Sequence, residues 1–217
     1  MAAFISRREL LKRAGLAGAA AAGVPMEALA RVASPLEGVA QAVPVARAPA
    51  ENLTAVESDV LEAIVARLIP TDATGPGAAE AGAAHYIDRA LGGALASSRP
   101  AYTAGLAAID SYARSSRGAS FARLPAADQD ATLMDVETGV ATGFPDSPAA
   151  FFNLVRTHTL QGTFGDPSYG GNANFVGWDL IDYPGVRTLV SADEQRLGAD
   201  IPPNHKSAYD YGMFKRE

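Results

Sequence analysis

From Leu53 to Thr159 the apolar positions return every three or four residues, and clusters of Gly, Pro and Ser cut this pattern into short amphipathic segments. Val60, Leu61, Ile64, Val65 and Leu68 line one helical stripe; Thr54 and Glu57 place a capping box at its start, Leu53 supplies a staple, and Pro70 ends it. A second helix is predicted from 80 to about 95, with Ala84, Ile87, Leu91 and Leu95 on one face. Arg99 and Pro100 open a third, carrying Leu106, Ile109 and Tyr112 and closing near Gly118. Pro125 begins a fourth, with Leu133 and Val136 inward and Gly139 at its end. Ser147 caps a fifth, Pro148 fits its first turn, Phe151, Phe152, Val155 and Thr159 form its apolar face, and Gly162 reads as its stop. No sustained apolar-polar alternation predicts a sheet. The pattern therefore specifies an all-α fold, a small bundle of about five short helices over 53–161.

After 162 the regularity ends. The stretch "GTFGDPSYGGNANFVGWDLIDYPG" (162–185) follows neither a helical nor a strand period, and only 185–197 has the pattern for a turn or two of helix. Irregular segments this long are usually functional or disordered, and disordered ones are poor in aromatic residues. This one carries Phe164, Tyr169, Phe175, Trp178, Tyr183, Tyr209, Tyr211 and Phe214. It is expected to form an arm over 162–217 that packs partly on the bundle and partly on a partner chain, so all eight rings are interface candidates. Gly170, Gly171 and Asn172 permit positive φ at successive positions, and Gly177 lets backbone pass close to Trp178. Tyr169 and Trp178 suit an anchor in a protein interface or a platform for a sugar ring, and the residues alone leave both open.

The N-terminus reads as an address. Arg7 and Arg8 precede a weakly apolar Ala/Gly run over 14–24, and Ala28-Leu29-Ala30 offers the small residues of a cleavage site. Paired arginines before a modestly hydrophobic run resemble a twin-arginine signal over 1–30, which implies recognition by the twin-arginine translocase and export in a folded state to the periplasm. The run is too short and Gly-rich for a stable membrane span, so none is expected after cleavage. Residues 31–52, rich in Ala, Pro and Val, read as a flexible leader.

Composition removes several classes of function. The formal net charge is −6 and no basic block lies outside the N-terminus, so no nucleic-acid partner is expected. With no Cys, the chain cannot hold a disulfide, a thiolate zinc site, an iron–sulfur cluster or a covalent c-type haem. Gly75, Gly77 and Gly82 do not make a dinucleotide fingerprint, because Glu80 stands where the third glycine is needed and a helical pattern precedes them. His85, His158 and His205 are too scattered for a metal triad: His85 reads as a surface or core-edge residue, and His158 as a helix C-terminal histidine complementing the macrodipole. Asp166, Asp179 and Asp182 match no calcium loop. Neither a metal site nor a catalytic residue is predicted.

Two stretches carry a family resemblance. "LIPTDATGPGAAEAGAAHYIDRAL" (68–91), followed by the D-P-x-Y-G-G-N, G-W and Y-P-G elements of 162–185, resembles the gluconate 2-dehydrogenase subunit 3 family over roughly 53–185. The closing "SAYDYGMFKRE" looks like small subunits of the glucoside 3-dehydrogenase type. The resemblance implies a non-catalytic small subunit that binds, matures and co-exports a catalytic chain of the glucose-methanol-choline class. That partner would hold FAD, and a cytochrome c carrying haem would accept the electrons; this chain would carry no cofactor. Asp182 stands where a glycine is expected, which calls close backbone approach there into question. An autonomous periplasmic carbohydrate-binding protein or hydrolase is the alternative reading.

Overall fold

The computed structural model describes residues 50–214; Arg7, Arg8, the signal over 1–30 and nearly all of the leader lie outside the described residues. The helices are α1 (Ala55–Leu68), α2 (Ala83–Leu91), α3 (Arg99–Arg117), α4 (Ala126–Glu137), α5 (Pro148–Phe164) and a short α6 (Val176–Leu180). No strand occurs among the described residues. The expected all-α bundle is the fold, with α5 lying against α2 and α4 and α1 touching each of α2 to α5.

Local chemistry sets the helix starts. Thr54 accepts from the Glu57 amide while the Glu57 carboxylate takes the Thr54 amide, so the capping box forms as its spacing predicts. Ser147 caps α5 through the Ala150 amide with Pro148 behind it. Inward-facing Val60, Leu61, Ile64 and Val65 meet Ile87, Leu91, Leu106, Ile109, Val136 and Val155 in one core closed by Tyr102, Phe121, Phe151 and Phe152. At Gly105 a side chain would collide with the Phe151 ring, so α3 can approach α5 this closely only through a glycine.

Three boundaries differ from the sequence expectation. The second helix starts at Ala83 and ends at Leu91, because the Glu80 carboxylate is spent on the Gly77 amide and the Thr71 hydroxyl; Leu95 still packs on the core from outside the helix. Gly162 does not stop α5, which runs on to Phe164 while Gly162 lies close against Ala83 and Tyr86 of α2. No helix forms over 185–197; the helical turns of the arm fall instead at Pro167–Tyr169, Ala173–Phe175, α6, Ala208–Asp210 and Gly212–Phe214. Those turns are three to five residues long, too short to express a hydrophobic period.

Polar contacts fix the helices against one another. Arg67 forks onto Asp130 at 2.6 and 2.7 Å and ties α1 to α4, while Arg117 bridges α3 to Asp135 at 2.8 Å and Thr132 at 2.7 Å. Asp88 interrupts the apolar face of α2 and is 4% exposed. Its carboxylate accepts three consecutive amides, those of Glu51 at 2.6 Å, Asn52 at 3.0 Å and Leu53 at 2.8 Å, and so fastens the chain entering α1 onto α2. Asp88→Ala should cost about 3 kcal/mol in chemical denaturation, since it leaves those donors without their charged acceptor, and Asp88→Asn should cost less by keeping one oxygen.

Candidate functional site

The arm starts as the cap of α5. A helix ends with four carbonyls that have no partner within it, and here the arm supplies partners for two of them and for the Gly165 carbonyl just past the end. The Asn172 amide donates to the Gly162 carbonyl at 2.7 Å, the Trp178 indole N–H to the Phe164 carbonyl at 2.9 Å, and the Asn172 side-chain amide to the Gly165 carbonyl at 2.9 Å. The Asn172 side-chain oxygen accepts the Gly177 amide at 2.8 Å, which seats the start of α6 on the end of α5. Asn172 is fully buried and holds φ at 45°, a left-handed conformation that Asn tolerates.

The glycines act by two different means. Gly170 takes φ of 95° and closes the Asp166-Pro167 turn, whereas Gly171 is outside the left-handed region. At Gly171 a Cβ would strike the Gly162 carbonyl, and at Gly177 it would strike the Thr163 carbonyl. Backbone therefore passes over the last turn of α5 at both places, and the Gly177 approach is to Thr163. Asp182 adopts φ of 53°, the conformation a glycine would take there with less strain, and is exposed.

Four of the eight aromatic candidates gather around α6. Trp178 is 5% exposed, with Phe175 at 5.3 Å and Tyr183 edge-on at 4.8 Å, and Phe164 lies half-buried at the end of α5. Tyr169 meets Tyr209 edge-on at 6.2 Å, and the Tyr211 hydroxyl donates to the Val186 carbonyl at 2.7 Å. The rings that reach solvent are Tyr169 at 55%, Tyr183 at 38% and Phe214 at 46%, accompanied by exposed Ile181, Leu189 and Met213.

Charged groups in the arm hold the structure together. Asp166 accepts from the Ser168 amide, the Ser207 hydroxyl at 2.7 Å and the Ala208 amide at 3.0 Å. Burial works to raise its pKa, but hydrogen bonds from Ser168, Ser207 and Ala208 outweigh it and keep the carboxyl below its ordinary value. Asp179 meets His205 at 2.7 Å. Among the described residues no group of three or more His, Asp and Glu is placed to hold a metal ion, and no helix is long and apolar enough to cross a membrane.

His158 differs from its sequence reading. Because α5 continues to Phe164, His158 lies inside the helix, buried, with its ring stacked on Tyr102 and Nδ1 2.9 Å from the Tyr102 hydroxyl. Burial, with a smaller contribution from Tyr86, pushes the Tyr102 pKa far up, and burial lowers that of His158. Both groups stay neutral at pH 7, so the pair is a neutral hydrogen bond whose donor is set by the His158 tautomer. The sequence signal for this pair was absent, since residues 102 and 158 are joined only by the packing of α3 on α5. Asp88 did leave a signal, a carboxylate within an apolar stripe.

A family model described as gluconate 2-dehydrogenase subunit 3 matches residues 55–185, which takes in the six α-helices of the described residues and the capping segment. Searches of curated proteins and of solved structures return no match.

Trp178→Ala should lower the stability of the isolated chain by about 3 to 5 kcal/mol, read by thermal or urea unfolding, because it removes a buried ring and uncaps the Phe164 carbonyl. His158 carries a pH prediction. Its folded pKa lies below the unfolded value of about 6.5, so its stabilising contribution is present above that value and is lost as pH falls through the lowered folded pKa. Unfolding measured from pH 7.5 down to 5 should show a shallower acid loss in His158→Gln than in the parent.

Proposed function

Because the chain belongs to the gluconate 2-dehydrogenase subunit 3 family, we propose that it is the non-catalytic small subunit of an FAD-dependent, cytochrome-linked sugar dehydrogenase, and that it binds, matures and co-exports the catalytic subunit. One observation carries the docking part of this reading. The arm buries Trp178 against its own helices and, on that fixed base, leaves Tyr183 and Ile181 exposed to solvent. Exposed aromatic residues backed by a rigid base suit an interface, because little conformational entropy remains to be lost on binding. The buried indole also argues against the sugar-platform alternative, since Trp178 has no open face for a ring to stack on.

In this reading FAD lies in a partner of the glucose-methanol-choline class, a cytochrome c takes the electrons, and the paired arginines at Arg7 and Arg8 send the assembled complex through the twin-arginine translocase to the periplasm. The small subunit contributes a docking surface and an address.

A tagged copy purified from its native host should bring down a longer, yellow, dye-reducing chain, while the tagged chain expressed alone should be colourless and inactive. Changing Arg7 and Arg8 together to Lys should leave the dehydrogenase activity in the cytoplasmic fraction. Tyr183→Asp should weaken association by about 2 kcal/mol or more while KM for the sugar stays unchanged. Recovery of the tagged chain without a flavoprotein, or flavin on the lone chain, would overturn the proposal.

A further inference from the structure

We propose that residues 186–214 form a strap that unfastens from the helical body as a unit while the body stays folded. The strap lies beyond the family-matched region, which ends at 185. Among the described residues no apolar side chain after Trp178 is buried, and the buried side chain of the strap is that of Ser207. Its hold on the body is therefore made of separate polar and ring contacts and lacks a hydrophobic core of its own.

Two polar fastenings hold it, beside the edge-on contact of Tyr209 with Tyr169. At the first, Asp166 takes the Ser207 hydroxyl and the Ala208 amide. At the second, His205 meets Asp179 and lays its ring flat on Phe175, 5.1 Å between centroids. Both partners on the body side belong to the family-matched region; both on the strap side lie outside it. The strap is also paired with itself at its base. The Asn204 side chain donates to the Val186 carbonyl at 2.9 Å, Val186 donates to the Lys206 carbonyl at 3.0 Å, and Tyr211 closes on Val186, while the Asn204 amide holds the Pro184 carbonyl of the body at 3.1 Å. That internal pairing makes 204–211 move together with 186. His205 further holds a left-handed φ of 47°, a strain relieved when the fastening opens.

Opening as a unit is what sub-global unfolding looks like for an element with few buried apolar contacts and hydrogen bonds near solvent. It would bare Phe175 and one side of the Trp178 cluster while leaving the α5 cap intact, because the cap is made by Asn172 and Trp178. The inference needs no partner and does not depend on what the arm binds.

Hydrogen exchange by mass spectrometry on the full chain, together with acrylamide quenching of the single tryptophan, tests it. Amides of 204–211 should exchange faster than those of α1, α3 and α5. Asp166→Asn keeps an oxygen for the Ser168 amide but cannot serve both Ser207 and Ala208. It should speed exchange across 204–211 and at Val186 by about tenfold or more, and increase Trp178 quenching, with the helices unchanged. Ser207→Ala should act in the same direction with a smaller effect. Exchange in 204–211 as slow as in α5, acceleration of strap and helices together, or no change in either variant would each overturn the proposal.

Discussion

The end of α5 is the constraint around which the chain is arranged. A helix that stops inside a protein must find donors for its last carbonyls, and α5 finds them in residues ten to fourteen positions further along, at Asn172 and Trp178. To deliver those donors the chain must reverse over the final turn at distances that exclude a side chain, which places glycine at 171 and 177. It must also place at the helix end a buried left-handed residue with a side-chain amide, which suits Asn at 172. The composition of 162–185, unusual as a sequence, follows from solving this one hydrogen-bonding problem. The exposed Tyr183, edge-on to the capping Trp178, is positioned by that solution.

The helices themselves are joined by a conventional apolar core together with several polar contacts that work at a distance from solvent. Asp88 gathers three amides, Asp110 takes the Ser120 hydroxyl and the Phe121 amide at the turn after α3, and Tyr102 with His158 forms a neutral pair between α3 and α5. Apolar packing would allow these short helices to slide or rotate by small amounts. Directional hydrogen bonds restrict them to one arrangement. Gly105 adds a steric restriction of the same kind, since the Phe151 ring fits against α3 only at that position.

Helix-scale features were legible in the chain because they repeat. The stripe of α1, its capping box, the start of α5 at Ser147-Pro148 and the all-α class all rest on spacing within one segment. What repeats too briefly was not legible: α6 has five residues, and the turns around it have three. Gly162 shows another limit, because a glycine that ends a helix and a glycine that lets two helices touch are identical in sequence. In the arm the residue types were informative while their partners were not. Trp178 could be recognised as important, yet nothing local told that its indole N–H would serve a carbonyl fourteen residues back. The tie of Asp166 to Ser207 spans forty-one positions, beyond the reach of any local pattern.

The loop that leaves the body at Val186 and returns at Asn204 has its two ends clamped together, by the Val186 amide on Lys206, the Asn204 amide on Pro184 and the Asn204 side chain on the Val186 carbonyl. For a loop so closed, doubling its length adds only about 0.6 kcal/mol of closure entropy. Residues between the clamps are thus free to lengthen, shorten or change character while the helices below register almost nothing. Relatives can diverge there at little cost, and the same property makes it a convenient place to graft a peptide or a label onto an otherwise tightly specified molecule.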